Sequence, residues 1–362
     1  MQLHRLWLSD YRNYVTAEID FAPGLTAFVG PNGQGKTNIL EAIGFAATLR
    51  SFRGATSDQL VRSGSAAAIL RAEASSGDRR LLVEAEIPTR GRLKAQLNRQ
   101  RIARTSDLLD IVAVTVFTPD DLDIVKAGPG VRRSFLDDLA ILVDSRNDAA
   151  CRELERVLRQ RSALLRQCNG RLDAQSELTL DIWDERLVTA GQHVDTMRCD
   201  LLTELLPGVQ QAYGSLSRGG DEVGLQYDAL WRGIGLADAL KAARRTDLER
   251  GVTTIGPHRD DLVLWLNAMD ARSTASQGEQ RCLALALKLA GHRLATQRRG
   301  TAPVLLLDDV FSELDPNRSA ALLVHLPPGQ TVLTSAAALP PGTAPELLYR
   351  VEGGHVCAMV SP

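Results

Sequence analysis

One eight-residue loop constrains the fold of this chain more than any other feature. Residues 30–37 read Gly-Pro-Asn-Gly-Gln-Gly-Lys-Thr and fit the spacing GxxxxGK[ST]. An apolar run at residues 25–29 precedes the loop, and a helical pattern follows it from Gly35. A strand, a glycine-rich loop and a helix in this order form a phosphate-binding unit set in a sheet. The sequence therefore predicts an α/β fold built around a nucleotide site.

The residues of this loop have separate expected roles. Backbone amides of a glycine-rich loop turn toward phosphate oxygens, and the following helix adds the positive end of its dipole. We expect Lys36 to reach the β- and γ-phosphates of ATP, and Thr37 to offer its hydroxyl to Mg²⁺. The predicted nucleotide-contacting residues are Gly30, Pro31, Asn32, Gly33, Gln34, Gly35, Lys36 and Thr37. The alternative is a glycine-rich turn that precedes a helix by chance.

A pair of acidic residues lies about 270 residues further along the chain. The apolar run at residues 304–307 ends in Asp308 and Asp309. Carboxylates at the carboxyl end of a parallel strand lie where ligands bind in α/β sheets. Asp308 is therefore the predicted magnesium ligand, directly or through water, and Asp309 the candidate general base for an attacking water. Adjacent aspartates are also common turn residues, but together with the phosphate loop they complete a catalytic set of Lys36, Asp308 and Asp309.

A third motif, Ser-Gln-Gly-Glu-Gln at residues 276–280, opens a predicted helix. Ser276 with Glu279 three residues later fits a capping box, which alone explains both residues. Capping does not explain the order along the chain, in which the phosphate loop, this motif, the acidic pair and residues 312–315 (Ser-Glu-Leu-Asp) follow one another.

The length and the hydrophobic pattern predict how the chain is organised. At 362 residues, with 44% hydrophobic and 24% charged residues, it has globular composition and the size of two compact units, or of one unit with an insertion. We predict one half of an ATPase lobe at 1–125, a helical insertion at 126–251 and the other half of the lobe at 252–362. Helical spacing in the insertion predicts two long antiparallel helices joined near Asn169 and Gly170, with Gly191 interrupting the second pattern.

Composition also limits the class of protein. No apolar run approaches the roughly 20 residues that a membrane helix needs, and residues 1–5 do not resemble a secretory signal, so we expect a soluble, cytoplasmic protein without a membrane partner. The five cysteines form no CxxC pair, which indicates reduced packing residues. The formal charge of −2 means that any nucleic-acid site is a local patch.

The ordered motifs resemble the SMC and SMC-like group of ATP-binding-cassette ATPases, which act on chromosomes. Within that group the chain is similar to the bacterial recombination mediators. Besides the phosphate loop, the resemblance is carried by residues 9–14 (Ser-Asp-Tyr-Arg-Asn-Tyr), Pro129 with 132–137 (Arg-Arg-Ser-Phe-Leu-Asp), 256–262 (Gly-Pro-His-Arg-Asp-Asp-Leu), 276–280 and 307–315 (Leu-Asp-Asp-Val-Phe-Ser-Glu-Leu-Asp). These pieces span nearly the whole chain.

The resemblance implies an ABC/SMC-type head, a mixed sheet with helices, that carries an inserted helical lobe. Lys36, Thr37, Asp308 and Asp309 would surround one ATP. A second subunit's ATP would be contacted through its γ-phosphate by Ser276, Gln277, Gly278, Glu279 and Gln280, which makes ATP the switch for a homodimer. The resemblance further implies binding to gapped, single-stranded and duplex DNA, a weak DNA-stimulated ATPase, and work with RecR and RecO to load RecA during repair, replication restart and the SOS response.

Three departures from that group predict slow turnover. Thr118 and Pro119 stand where related heads carry a loop glutamine. The usual catalytic glutamate is Asp309, which is one methylene shorter. The histidine expected after the strand at 331–334 is absent, since Ser335 and Ala336 follow. Together these departures favour an ATPase whose slow hydrolysis sets the time of release, over a motor that hydrolyses ATP rapidly.

The clearest basic segment runs from residue 79 to residue 104, with eight basic and two acidic residues. Such a segment predicts sequence-tolerant contact with DNA phosphates, although a solvated hairpin face is an equally good interpretation. Arg50 and Arg53 resemble DNA-sensing arginines of related heads, but could equally cap a helix C-terminus. The predicted DNA contacts are Arg50, Arg53, Arg92, Lys94, Arg99, Arg101 and Arg104.

Two other functions fit parts of the sequence. A nucleotide-binding subunit of a membrane transporter would share the phosphate loop and the 276–280 motif, but the helical insertion, Asp309 and the missing histidine argue against it. A small-molecule kinase would need the phosphate loop only, and neither the 276–280 motif nor a dimer.

Overall fold

The computed structural model describes residues 1–102, 106–109, 111–217 and 220–359. Its strands are β1 Gln2–Tyr11, β2 Tyr14–Asp20, β3 Leu25–Val29, β4 Ala67–Ser76, β5 Arg79–Pro88, β6 Lys94–Leu97, β7 Gln100–Arg101, β8 Val114–Phe117, β9 Val223–Asp228, β10 Asp261–Leu266, β11 Met269–Asp270, β12 Val304–Asp308, β13 Thr331–Ser335, β14 Leu347–Glu352 and β15 His355–Met359. Its α-helices are α1 Lys36–Thr48, α2 Ser57–Leu60, α3 Ser106–Leu109, α4 Asp123–Lys126, α5 Pro129–Val143, α6 Asn147–Cys168, α7 Ala174–Ser217, α8 Leu236–Arg250, α9 Ala271–Thr274, α10 Gln277–Arg299 and α11 Pro316–Val324. Short 3-10 turns lie at Pro119–Leu122 and Val310–Glu313.

The chain divides into two compact units. The first contains the described residues within Met1–Asp121, Ala212–Arg218 and Leu285–Pro362, and the second those within Leu122–Gln211 and Gly219–Ala284. This grouping differs from the predicted domains chiefly at 252–284, which lies in the second unit. The domain boundaries at 125 and 251 stay a prediction.

Two six-stranded sheets make up most of the first unit. One has the strand order β15-β14-β3-β13-β12-β8, in which β15 alone is antiparallel to its neighbour. The other is antiparallel, with the order β2-β1-β4-β5-β6-β7. Strand β12 is buried along its whole length, which explains its uninterrupted apolar sequence up to the acidic pair. Buried residues of both sheets and of α1, among them Leu6, Phe28, Ile39 and Leu70, form one core cluster.

The second unit is mainly helical but contains a small sheet. Strands β9, β10 and β11 pair in the order β11-β10-β9, so the segment predicted as wholly helical includes a strand. The two predicted long helices are α6 and α7, and they are joined by residues 169–173. Arg161 of α6 is fully buried and is paired with Asp184 and Asp247, each at 2.6 Å. No described helix has both the length and the apolar content needed to cross a bilayer.

Candidate nucleotide site

The phosphate loop connects β3 directly to α1, as the sequence predicts. Gly30, Gly33 and Gly35 have positive φ angles of 153°, 78° and 114°. At Gly35 a side chain is also excluded by space, since a Cβ there would lie 2.6 Å from Asn13 Nδ2 and 2.8 Å from the Tyr14 hydroxyl. Helix α1 begins at Lys36 without a side-chain cap and without an acidic residue in its first turn. Its positive end is therefore uncompensated and suited to phosphate.

Lys36 lies over this loop. Its Nζ atom donates to the carbonyl oxygens of Gly30 at 2.7 Å and Pro31 at 2.8 Å. Burial lowers the pKa of Lys36, and the nearby carboxylates of Asp309 and Asp308 oppose that shift. The ammonium group thus has weak neutral partners that phosphate oxygens can replace.

Thr37 and Asp308 meet across 271 positions of sequence. The Thr37 hydroxyl donates to Asp308 Oδ1 at 2.8 Å, and the Thr334 hydroxyl donates to the same oxygen at 2.8 Å. Strand β13 lies between β3 and β12, and its Thr334 pairs in register with Asp308. Burial raises the pKa of Asp308, and the two hydroxyl hydrogen bonds oppose the rise. Sequence reasoning missed Thr334, whose role depends on the register of neighbouring strands.

A hydroxyl and a carboxylate oxygen at this distance suit Mg²⁺, which takes one or two protein ligands and completes its shell with phosphate and water oxygens. Within the described part of the chain, no group of three or more His, Cys, Asp or Glu side chains forms a metal cluster. Thr37 and Asp308 supply two oxygen ligands of the kind that Mg²⁺ takes from protein, and a nucleotide would supply others.

Asp309 is held in a left-handed conformation with φ 47°. Its amide donates to Thr334 Oγ1 at 3.0 Å, and its Oδ1 atom accepts from the Ala336 amide at 3.1 Å. Backbone groups at the end of β13 thus orient this carboxylate, where related heads are expected to carry a histidine side chain.

Two turns hold the phosphate loop from outside, and the sequence alone did not assign them this role. Asn13 Nδ2 donates to the Gln34 carbonyl at 2.8 Å, and the Tyr14 hydroxyl donates to the Gly35 carbonyl at 2.9 Å. From the β14–β15 turn, the Gly353 amide donates to Gln34 Oε1 at 2.7 Å. The motif at residues 9–14 was the only sequence signal for these contacts.

The segment after α1 is anchored by a buried carboxylate. Glu41 is fully buried, accepts two hydrogen bonds from Arg12 at 2.7 Å each, and accepts one from Ser51 Oγ at 2.6 Å. Arg50 and Arg53 follow within this segment. Arg53 Nη1 donates to Asn38 Oδ1 at 3.3 Å, so this predicted DNA-contacting side chain reaches α1.

The loop after β8 begins beside the acidic pair, because Phe117 pairs in register with Leu307. The Thr118 amide donates to Asp121 Oδ2 at 2.8 Å, and Asp121 also forms an ion pair with Lys288 at 3.0 Å. Asp121 therefore links the Thr118 backbone to Lys288.

The 276–280 motif belongs to the second unit, whereas the phosphate loop belongs to the first. The Ser276 amide donates to Glu279 Oε2 at 2.7 Å, and the Glu279 amide donates to Ser276 Oγ at 3.3 Å. This is the capping box considered above. Gln280 is buried, and its side-chain Nε2 donates to the carbonyls of Ala271 and Arg272 at 3.2 Å each. Gln280 thus supports the segment before the helix and is not exposed to a ligand.

Four of the remaining predicted DNA contacts lie in the strands and turns of the antiparallel sheet. Arg92, Arg99 and Arg101 are exposed, whereas Lys94 forms an ion pair with Glu86 at 3.1 Å. Arg104 lies outside the described residues.

Comparison with known proteins gives a consistent result. Residues 2–330 match the family described as RecF/RecN/SMC N terminal domain. The DNA replication and repair protein RecF of Streptomyces avermitilis is 41% identical over 98% of this chain and 99% of its own length. RecF of Kineococcus radiotolerans is also 41% identical, over 93% of each chain.

Solved structures agree with these relatives. The recombination mediator protein RecF with ATP, of the RecFOR pathway, superposes with a TM-score of 0.91 at 27% identity, covering 99% of this chain and 98% of that one. The Smc head domain of Pyrococcus furiosus has a TM-score of 0.60 at 18% identity, covering 99% and 96% of the two chains, and supports the fold alone. The predicted head fold is therefore confirmed.

Proposed function

The chain belongs to the RecF family, within the ABC/SMC-type ATPases, and on that basis we propose that it is an ATP-gated DNA-binding protein of recombinational repair and replication restart. ATP binding would join two copies on gapped or junction DNA, and slow hydrolysis would release them. The full-length similarity to RecF relatives decides against the transporter-subunit and kinase alternatives.

The observation that carries this proposal is the 2.8 Å contact between Thr37 and Asp308, next to Lys36 on the same loop. The phosphate loop and the acidic strand end, which are far apart in sequence, form one site. Lys36 would exchange the carbonyls of Gly30 and Pro31 for the β- and γ-phosphate oxygens of ATP. When bound, Mg²⁺ would neutralise phosphate charge from a position held by Thr37 and Asp308.

Hydrolysis would depend on Asp309. Its carboxylate is oriented by the Ala336 amide and can accept a proton from an attacking water. The Asp side chain is shorter than that of Glu, and one oxygen of Asp309 already accepts a hydrogen bond from the Ala336 amide. We therefore expect the attacking water to be held weakly and ATP turnover to be slow. Stimulation of this weak ATPase by DNA is part of the proposal.

Pairing would depend on the start of α10. Ser276 and Gln277 are exposed there, and a helix N-terminus binds anions through its amides and dipole. The γ-phosphate of ATP on a second copy would supply the anion, so that two ATP molecules would join two chains. Glu279 and Gln280 would support the motif from within their own chain.

The pathway partners follow from the relatives. A solved relative is described as a recombination mediator in the RecFOR pathway, which supports RecR and RecO as partners and RecA loading as the outcome. Involvement in the SOS response and a cytoplasmic location complete this proposal.

The test is light scattering on a sizing column with and without ATP and Mg²⁺. We expect the mass to double only with ATP. Lys36→Met should lose ATP binding and pairing together, whereas Ser276→Arg should keep ATP binding and lose pairing. Ser276→Ala is the matched control, since it removes the cap, worth about 1 kcal/mol, without placing a bulky cation at the contact. ATP-dependent pairing by Ser276→Arg would refute the shared site.

A further inference from the structure

We infer that the DNA contact lies at one corner of the antiparallel sheet, formed by Arg79, Arg80, Arg99 and Arg101, and that its ligand is the phosphate backbone of duplex DNA. This inference rests on the proposed function, and it gives the location of the DNA contact. We call these four residues the corner cluster. Two of its members, Arg79 and Arg80, were not among the predicted contacts.

The corner is built by a side chain that holds a turn against a strand. The Asn98 amide donates to the Leu82 carbonyl at 2.9 Å, and Asn98 Nδ2 donates to the Arg80 carbonyl at 3.2 Å. The Leu82 amide donates in return to Asn98 Oδ1 at 2.8 Å. These bonds fix the β6–β7 turn, which includes Arg99, beside the first residues of β5.

The register places two of the four arginines, Arg80 and Arg101, on the outer face of the sheet. Leu81 and Val83 are buried, so Arg80 points to the opposite, outer face of the sheet. Ala95 is likewise buried, and Gln96, next to it in β6, is exposed. Arg101 pairs in register with Gln96 and therefore shares the outer face with Arg80. Arg79 and Arg99 lie at the adjoining strand start and turn and are exposed.

Ion pairing separates this cluster from the basic residues within strands β1, β4 and β6. Arg71 is paired with Glu84 at 3.0 Å, Lys94 with Glu86 at 3.1 Å, and Arg5 with Glu18 at 3.0 Å. By contrast, none of the four corner arginines forms an ion pair with a described side chain, and all four are exposed. The acidic residue closest in sequence is Asp78, in the turn before β5. Even with Asp78 beside it, the corner therefore carries a net positive charge, which favours a polyanion.

The chemistry of the cluster selects the backbone of DNA. Guanidinium groups bind phosphate through paired hydrogen bonds, and duplex DNA presents a dense row of phosphates along each strand. No aromatic residue occurs between residues 79 and 102, so the segment offers no platform on which unpaired bases could stack. The cluster thus favours the duplex side of a gap or junction.

The same sheet supplies a matched control. Arg90 and Arg92 are exposed in the turn between β5 and β6, at the other end of β5. Extended strand separates Arg79 from the far end of β5 by roughly 30 Å, whereas Arg101, level with Glu84, lies nearer to this turn. Removing these two arginines changes the net charge of the same sheet without touching the corner cluster.

The experiment measures binding of a blunt duplex and of oligo(dT) with ATP and Mg²⁺, over a salt series from about 50 to 200 mM. The quadruple variant Arg79→Gln, Arg80→Gln, Arg99→Gln, Arg101→Gln is compared with Arg90→Gln, Arg92→Gln. Four lost phosphate contacts should make the slope of log K against log salt for the duplex less negative by about 3.6, whereas the control should keep the native slope. ATP-dependent doubling of mass should remain in both variants.

A native salt slope in the quadruple variant would overturn the assignment, as would an equal loss in the Arg90 and Arg92 variant. A loss confined to oligo(dT) would overturn the choice of duplex DNA. If the unaltered protein paired with ATP but bound neither DNA, the proposed function itself would fail, and the corner cluster with it.

Discussion

Asp308 shows at the scale of one residue how this site sets function against stability. Its carboxylate is buried at the end of β12, and two hydroxyl groups donate to one of its oxygens. Burial still dominates and raises the pKa of Asp308, so the ionised form is disfavoured in the folded protein without a cation. A buried carboxylate of this kind stabilises the fold only when a positive charge is present.

We predict that Asp308→Asn raises the thermal stability of the nucleotide-free protein at neutral pH while it abolishes ATP hydrolysis. The raised pKa means that the wild-type carboxyl contributes its full stability below its ordinary value of 3.8 and loses it as pH rises through the folded pKa. The advantage of the variant should therefore be largest at neutral pH and vanish toward pH 3.8. Unfolding temperature against pH measures it.

Asp315→Asn is the control, because its carboxylate caps α11 and the Arg318 amide hydrogen bond lowers the pKa of Asp315. The pKa of Asp315 is lowered whereas that of Asp308 is raised, so the ionised Asp315 carboxylate stabilises the fold at neutral pH. Asp315→Asn should therefore gain no stability at neutral pH. A lower unfolding temperature for Asp308→Asn at neutral pH would contradict the prediction.

Site residues that belong to a recognisable sequence pattern could be predicted. Site residues whose role depends on which strands are neighbours could not. Lys36, Thr37 and Asp308 follow from the loop spacing and from the end of an apolar strand. Thr334 holds Asp308 only because β13 lies between β3 and β12, and single-sequence spacing does not give strand order.

At the scale of elements, two turns fix the phosphate loop. The start of β2 and the turn before it supply Tyr14 and Asn13, and the β14–β15 turn supplies Gly353 and Gly354. Gly354 has φ 77°, and a Cβ there would lie 2.7 Å from the Asn13 carbonyl oxygen. The two turns are therefore in close contact with each other, and both are hydrogen-bonded to the loop.

We predict that Gly354→Ala weakens ATP binding beyond its cost in stability, because the added methyl group displaces Asn13 from the Gln34 carbonyl. Gly353→Ala is the matched control. Gly353 also has a positive φ, 55°, but a Cβ there meets no atom within 4 Å. Both variants should lose about 1–2 kcal/mol from the left-handed backbone, and only Gly354→Ala should raise the Kd for ATP several-fold. Calorimetric titration with ATP tests this, and equal Kd values for the two variants would refute it.

Element positions were predicted best where the hydrophobic pattern was uninterrupted. The strands expected at 25–29, 304–307 and 331–334 appear as β3, β12 and β13 within one residue at each end. Helix α7 instead continues through Gly191, where the pattern predicted an interruption. A Cβ at Gly191 would lie 2.5 Å from Leu236 Cδ2, so this glycine permits close packing inside the helix. That requirement depends on a contact 45 positions away in sequence.

At the scale of the whole molecule, the two motifs proposed to contact ATP lie in different units of the chain. The phosphate loop with Asp308 belongs to the first unit, and the 276–280 motif belongs to the second. The family resemblance implied that the two motifs act on one nucleotide, but a single copy does not show this. Complementation between two defective chains can separate a shared site from two independent ones.

We predict that Lys36→Met and Ser276→Arg chains, each unable to pair alone, form a mixed dimer with one ATP. The Ser276→Arg chain keeps a native phosphate loop, and the Lys36→Met chain keeps a native Ser276, so one complete site can form between them. Two different affinity tags allow the mixed dimer to be captured with ATP and Mg²⁺, and labelled ATP measures one nucleotide per two chains. The mixed dimer has one complete ATP site instead of two, so it should pair more weakly than the native dimer. Capture without ATP, or two nucleotides per mixed dimer, would show that the site is not shared in the proposed way.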